Sequence, residues 1–315
     1  MSLLVPGAVV GWADRKVIPF AADSQSLILS SSTIFSFKIE ALSRKTGQGP
    51  DSVRTGNYDM SATVVKKYKG VVMEREGQVF AASPLIYVGP IRDRPLGVWA
   101  VVSQRDLPKI GSVWVAFCAG AAGPRSAAEL LKGAGASCRL AGSEAALDVE
   151  LADQSEQRGE LDDAINLLGQ NRQKNVFYYA EYLFSRYQSV LEGNRHWPQL
   201  FSLIEDASTS PTLRSTLISD SEDVLSSGRE LPLETQAGFA RCLVHVVFLE
   251  SDNQERENIL GIDLRNWIRA VPGRELSAAE VFSDRLEEKA KLEAILATLT
   301  PSPELSAISG WLRGD

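Results

Sequence analysis

Short apolar runs of alternating character fill the first 120 residues, and a helical period replaces them from about residue 150. The runs Ala8–Ala13, Val17–Ala22, Ser26–Leu42, Met60–Glu74, Gln78–Val88, Gly97–Ser103 and Ser112–Phe117 are rich in β-branched and aromatic residues and are separated by Gly and Pro. Such a pattern predicts strands of an antiparallel sandwich or barrel. Glu76-Gly77 stands between two of the runs, and Gly accepts the positive φ that a tight hairpin turn demands. Two segments resist regular structure: 43–57, with Arg44, Lys45, Gly47, Gly49, Pro50 and Arg54, and 89–96, whose Pro90 and Pro95 cannot donate to a sheet ladder.

In the second part Phe177, Ala180, Phe184, Tyr187 and Leu191 recur at helical spacing, which puts them on one face of a helix ending near Gly193. Phe239, Leu243, Val246 and Leu249 do the same in a segment that is apolar nearly all round, the mark of a central helix. Ser277 and Glu280 spell a capping box for a last helix, which carries Glu287 and Lys291 one turn apart and is closed by Pro301. Between the halves, Gly and Ala dominate, and Ser126 with Glu129 starts one short helix.

The expected class is therefore α+β with segregated parts: an antiparallel β sandwich or barrel over 1–120, a joint with a short helix over 121–150, and an irregular helical bundle over 151–315. Gly159-Glu-Leu-Asp-Asp-Ala164 resembles the turn and second helix of a tetratricopeptide unit, and Gly193 follows at about the ~34-residue period of that repeat. Pro198 interrupts the next copy and no third is legible, so the resemblance covers that segment alone.

Charge changes the picture. Residues 1–120 hold 14 Lys and Arg against 9 Asp and Glu, whereas 121–315 hold 19 against 31, within a formal total of −7. A basic β part and an acidic helical part imply different partners. Cys118, Cys138 and Cys242 have no metal-ligand spacing, and an odd count cannot pair completely within one chain, which fits a reducing compartment. Leu3–Val10 is apolar but lacks a basic flank and contains Pro6 and Gly7, so it reads as a strand and not a secretory leader. No run reaches the ~18 apolar residues of a membrane span. A cytoplasmic location is expected.

Candidate chemistry is sparse. His196 lies in a helix-start turn, and His245 lies in Cys242-Leu-Val-His-Val-Val-Phe-Leu249, where a neutral core imidazole is expected because an unpaired charge would be costly there. The Gly/Ala loop 118–123 with Arg125 has the composition of an anion-binding turn, yet lacks both glycine fingerprints for phosphate. Two acidic clusters, Glu160/Asp162/Asp163 and Asp220/Glu222/Asp223, are expected at helix starts, where the helix dipole favours them. No catalytic residue, cofactor or metal site is assigned.

One constellation carries a positive message. Lys66, Lys67 and Lys69 flank Tyr68 in one strand-like run, and Arg92, Arg94 and Arg105 flank the strands that hold Trp99 and Trp114. Basic side chains that track phosphates beside aromatic faces that stack on bases are the means of single-strand binders. The sequence thus points to a non-enzymatic interaction protein whose basic β part binds a polyanion such as single-stranded nucleic acid, through Lys66, Lys67, Lys69, Arg92, Arg94 and Arg105. Its helical part binds a protein partner or a second copy of the chain. A viral structural or accessory protein has such a build, by analogy of architecture alone. The alternatives are an enzyme acting on a phosphorylated small molecule at the joint, and an adaptor whose two parts pair by charge.

Overall fold

A computed structural model describes residues 26–45, 55–88, 99–101, 108–119, 123–131, 137–191, 195–226, 231–270 and 275–314. The class is α+β, with the strands in the N-terminal part and the helices in the C-terminal part. The strands are β1 (Thr33–Arg44), β2 (Thr55–Lys69), β3 (Val79–Ala82), β4 (Leu85–Val88), β5 (Trp99–Val101), β6 (Val113–Ala119) and β7 (Ser137–Gly142). They lie in the order β5-β4-β2-β1-β6-β7, with β3 also on β2. Every pairing is antiparallel except that of β4 with β5. The expected runs 8–13 and 17–22 lie outside the described residues, and so do most of the loops 43–57 and 89–96.

Alternation along β1 and β6 explains how the sheet serves two cores. Phe35, Phe37 and Ile39 join Met60, Ala62, Val64, Phe80, Ala116 and Cys118 in one core on a single face of the sheet, to which α2 (Ala127–Leu131) contributes Ala127, Leu130 and Leu131. Register shifts interrupt the β1–β2 ladder between Ile34/Phe35, Ser36/Phe37 and Ile39/Ala41, and such irregularities increase local twist. The other face of the same strands, Ile34, Val115, Phe117 and Ala141, joins the helical core. There Phe117 meets Tyr178 with ring centroids 5.4 Å apart. The short helix α1 (Leu27–Ser30) takes the first residues of the expected strand 26–42 and buries Leu27 and Ile28 in the same core.

The helices begin before residue 150: α3 (Ala145–Arg158) follows β7 directly. Then come α4 (Leu161–Gln170), α5 (Phe177–Leu191), α6 (Trp197–Glu205), α7 (Pro211–Leu225) and α8 (Leu233–Leu249). Contacts run from α3 to α5 to α7 and from α4 to α6 to α8, so these six form two layers. The first layer starts at Ala145, Phe177 and Pro211, at steps of 32 and 34 residues, near the ~34-residue spacing of tetratricopeptide helices. The helix placement is thus more regular than the sequence, whose residues show no such repeat beyond 159–164.

As its apolar run requires, α8 is buried on nearly every side, while α5 buries its stripe and exposes Arg186, Gln188, Ser189 and Val190 in its second half. The remainder caps the stack: α9 (Asn253–Asn258), a π-helical segment Ile259–Leu264, α10 (Arg265–Ala270), α11 (Ala278–Val281), α12 (Leu286–Leu296) and α13 (Pro303–Arg313). The Ser277–Glu280 capping box forms, but the single helix expected after it is two, α11 and α12, broken at Phe282–Arg285. Lys291 does not take Glu287 as its recorded partner; its ammonium lies 4.3 Å from the centre of the Phe248 ring.

Candidate functional site

The basic run on β2 is the natural starting point. Lys66 pairs with Glu150 of α3 at 2.6 Å and lies 5.0 Å from the centre of the Tyr68 ring. Hydrogen bonding to Glu150 holds its ammonium above the usual lysine range. Lys67 donates from Nζ to the Val72 carbonyl at 2.8 Å, and Lys69 donates to the Ile28 carbonyl at 3.0 Å. The three therefore tie the far end of β2 to α3, to the next turn of chain and to α1. Arg92, Arg94 and Arg105 lie outside the described residues.

At the joint, α2 begins with its capping box intact: Ser126 N–H donates to Glu129 Oε2 at 3.2 Å and Glu129 N–H to Ser126 Oγ at 3.1 Å. The next amide, Ala127 N–H, donates at 2.7 Å to Glu74 Oε2, and Glu74 is itself buried. The chain's own carboxylates thus occupy the first amides of α2, which a phosphate there would require; residues 120–122 of the loop lie outside the described residues.

The histidines exchange environments relative to expectation. His196 is the buried one, at the N-cap of α6, and its Nδ1 lies 3.0 Å from Asp162 Oδ1 in the first turn of α4. His245 is half-buried and faces the Phe248 ring. Its position on α8 falls at the rim of an otherwise covered helix, which the flanking apolar residues do not reveal.

The cysteines correct the expectation of unpaired thiols. Cys118 and Cys138 stand directly opposite each other on β6 and β7 and form a disulfide. Cys242 stays free and buried, with Sγ 3.3 Å from Glu205 Oε1; burial, then the nearby carboxylate, pushes its thiol up. The odd count leaves one thiol over, and the pair formed because sheet register joins residues that sequence spacing does not.

A depression of about 510 Å³ lies against the β1–β2–β3 surface, lined by small residues with Asp59 and Glu129 as its charged members. Asp59 is held by Lys45 at 2.9 Å and accepts from Ser83 Oγ at 3.3 Å. Two carboxylates make it a poor seat for an anion.

The acids tell more. Asp162 and Asp163 occupy the first turn of α4, as the dipole argument requires. Asp220, Glu222 and Asp223 do not: α7 starts at Pro211, so they sit in its last turns, where the dipole opposes negative charge. Burial pushes all three up, and neighbouring carboxylates add to it at Asp220 and Glu222. Asp263 of the π-helical segment is pushed up to about 7 by burial and by Glu222 and Glu255.

No family model matches this chain, and no curated protein or solved structure is significantly similar to it. Function must be read from the residues alone.

Among the described residues no group of three or more His, Cys, Asp or Glu is arranged to hold a metal ion. None of the described helices is long and apolar enough to cross a membrane. Sequence reading missed the convergence of acids from α3, α5 and α7. Asp148 is fully buried in the first turn of α3, and Glu181 lies on α5 beside Tyr178 and Tyr182. A lone Asp in a helix with apolar neighbours on both sides, Ala145-Ala-Leu-Asp-Val149, was the one available signal.

Proposed function

We propose that this chain is a non-enzymatic interaction protein in which the two-layer helical stack is the protein-binding part. The observation that carries the reading is the stack itself: helix pairs repeated at a tetratricopeptide-like step form extended surfaces suited to partners, not enclosed reaction chambers. A second copy of the chain is one such partner. Tyr178 and Tyr182 are consumed by the internal core, so self-association would use other positions, among which Val190, Leu233 and Leu286 are exposed. Light scattering of the full chain over a concentration series tests this, and a strict monomer at every concentration removes the self-association reading.

The β part keeps its polyanion proposal, with its emphasis moved. Lys66, Lys67 and Lys69 already have acceptors within the chain, so Arg92, Arg94 and Arg105 carry the greater share of the binding. Anisotropy of a labelled single-stranded oligonucleotide is expected to show affinity falling with salt at a slope of about −0.7 per phosphate contact. Replacing the three arginines by alanine should abolish that slope. Absence of binding at low salt ends the polyanion proposal and leaves the helical one standing. Pairing of the two parts by charge alone has Lys66–Glu150 behind it, but the contact around Phe117 and Tyr178 is apolar.

A further inference from the structure

Three carboxyl groups sit on the three consecutive helices of one layer: Asp148 on α3, Glu181 on α5 and Asp220 on α7. Asp148 is fully buried, and its Oδ1 accepts from the Tyr179 amide at 2.8 Å in the first turn of α5. Its Oδ2 is covered and has no hydrogen-bond partner, and Asp220 Oδ2 is in the same condition. Glu181 lies electrostatically between them, repelling both.

The groups facing this line come from every side. Glu144 at the N-cap of α3 and Asp223 on α7 add negative charge, Tyr178 on α5 adds a hydroxyl that burial keeps neutral, and Arg139 on β7 supplies the positive charge felt by Glu181 and Tyr178. Packed on α5, α1 contains no ionisable residue. From α4 the layer receives the Ala164 carbonyl, which accepts from Tyr179 Oη at 3.0 Å.

We propose that Asp148, Glu181 and Asp220 form a proton-operated latch that closes the α3–α5–α7 layer in acid and loosens it as the three ionise. A covered carboxyl oxygen without a partner is tolerable when protonated and costly when charged. Burial pushes Asp148 and Asp220 well above the usual carboxylate range, and Glu181 to about 7. The native state therefore binds more protons than the unfolded chain between the ordinary carboxylate range and neutrality. Stability is full below that range and is lost as pH rises through the native values.

The Tyr179 amide is the local reporter, because its hydrogen bond is to Asp148 itself. Hydrogen exchange of the full chain, corrected for the intrinsic pH effect, is expected to show Tyr179 protection falling by at least about tenfold between pH ~5 and ~8, tenfold being the equivalent of one unit of pKa difference. The Phe239 amide in α8 should change less. Asp148→Asn keeps an acceptor and cannot ionise, and Glu181→Gln removes the middle charge; each should flatten the Tyr179 profile. If Asp148→Asn fails to fold, Glu181→Gln with the unsubstituted chain decides alone. A flat profile in the unsubstituted chain, equal falls at Tyr179 and Phe239, or an unchanged profile in Glu181→Gln would overturn the latch.

Discussion

At the scale of the residue, the same polar group is worth very different amounts according to where the fold puts it. Lys66–Glu150 is short, but both side chains are 40 to 50% exposed, and a pair of that kind contributes about 0.2–1 kcal/mol. Tyr179 is fully covered, and its hydroxyl donates to Ala164 O at 3.0 Å. Burial raises its own ionisation to about 12, so it remains a donor throughout the ordinary range. Denaturant unfolding is expected to show Lys66→Ala within about 1 kcal/mol of the unsubstituted chain and Tyr179→Phe destabilised by about 1–3 kcal/mol, because a buried carbonyl loses its partner. Neither figure was available from sequence. Lys66 and Tyr179 both look like polar members of their runs, and only the neighbours brought in by tertiary packing tell them apart.

At the scale of the element, period and caps were legible, and partners across the fold were not. β1, β2 and β6 follow from alternating apolar residues, and the boxes at Ser126 and Ser277 mark real helix starts. Ser210-Pro211 is an equally good start signal, with Ser210 Oγ accepting from Leu213 N–H; overlooking it placed Asp220, Glu222 and Asp223 at the wrong end of a helix. The break between α11 and α12 was hidden because Ser283-Asp284 interrupts a helix without Gly or Pro. Glycines sharpen the point. Gly159 ends α3 at φ +81 with open space around it, whereas at Gly70, φ +71, a methyl group would press into the Ser32 carbonyl and Thr33. Gly159→Ala is expected to cost about 1 kcal/mol and Gly70→Ala more than about 2 kcal/mol, strain and clash adding. Thermal midpoints of the two variants, measured side by side, test that order.

At the scale of the molecule, long-range pairing decides what composition cannot. The α+β class was readable because strand and helix periods are separated along the chain; the Cys118–Cys138 bond was not, since it depends on β7 returning to β6. Thiol labelling of the unfolded chain is expected to count one cysteine before reduction and three after it. Closing a loop with a sequence separation of 20 residues stabilises by about 3 kcal/mol, so reduction should lower the unfolding midpoint correspondingly. The proposed polyanion binding by Arg92, Arg94 and Arg105 is tested at this scale too, because salt dependence sums over the contacts engaged.

The two-faced burial of β1 and β6 has a consequence for how the protein is made. Synthesis delivers about 5–20 residues per second from the N-terminus, so the sheet is complete once Gly142 has left the ribosome, with α2 already in the core on one face. Its other face, Ile34, Val115, Phe117 and Ala141, then waits uncovered until the aromatic start of α5 at Phe177 and Tyr178 arrives. For those seconds the nascent chain is a finished sheet with a sticky back, the condition in which a growing polypeptide depends most on chaperones. Chains ended after Gly142 should aggregate where the full chain does not, and a chain ended at residue 120 should fare worse still, since it leaves β6 with a bare edge.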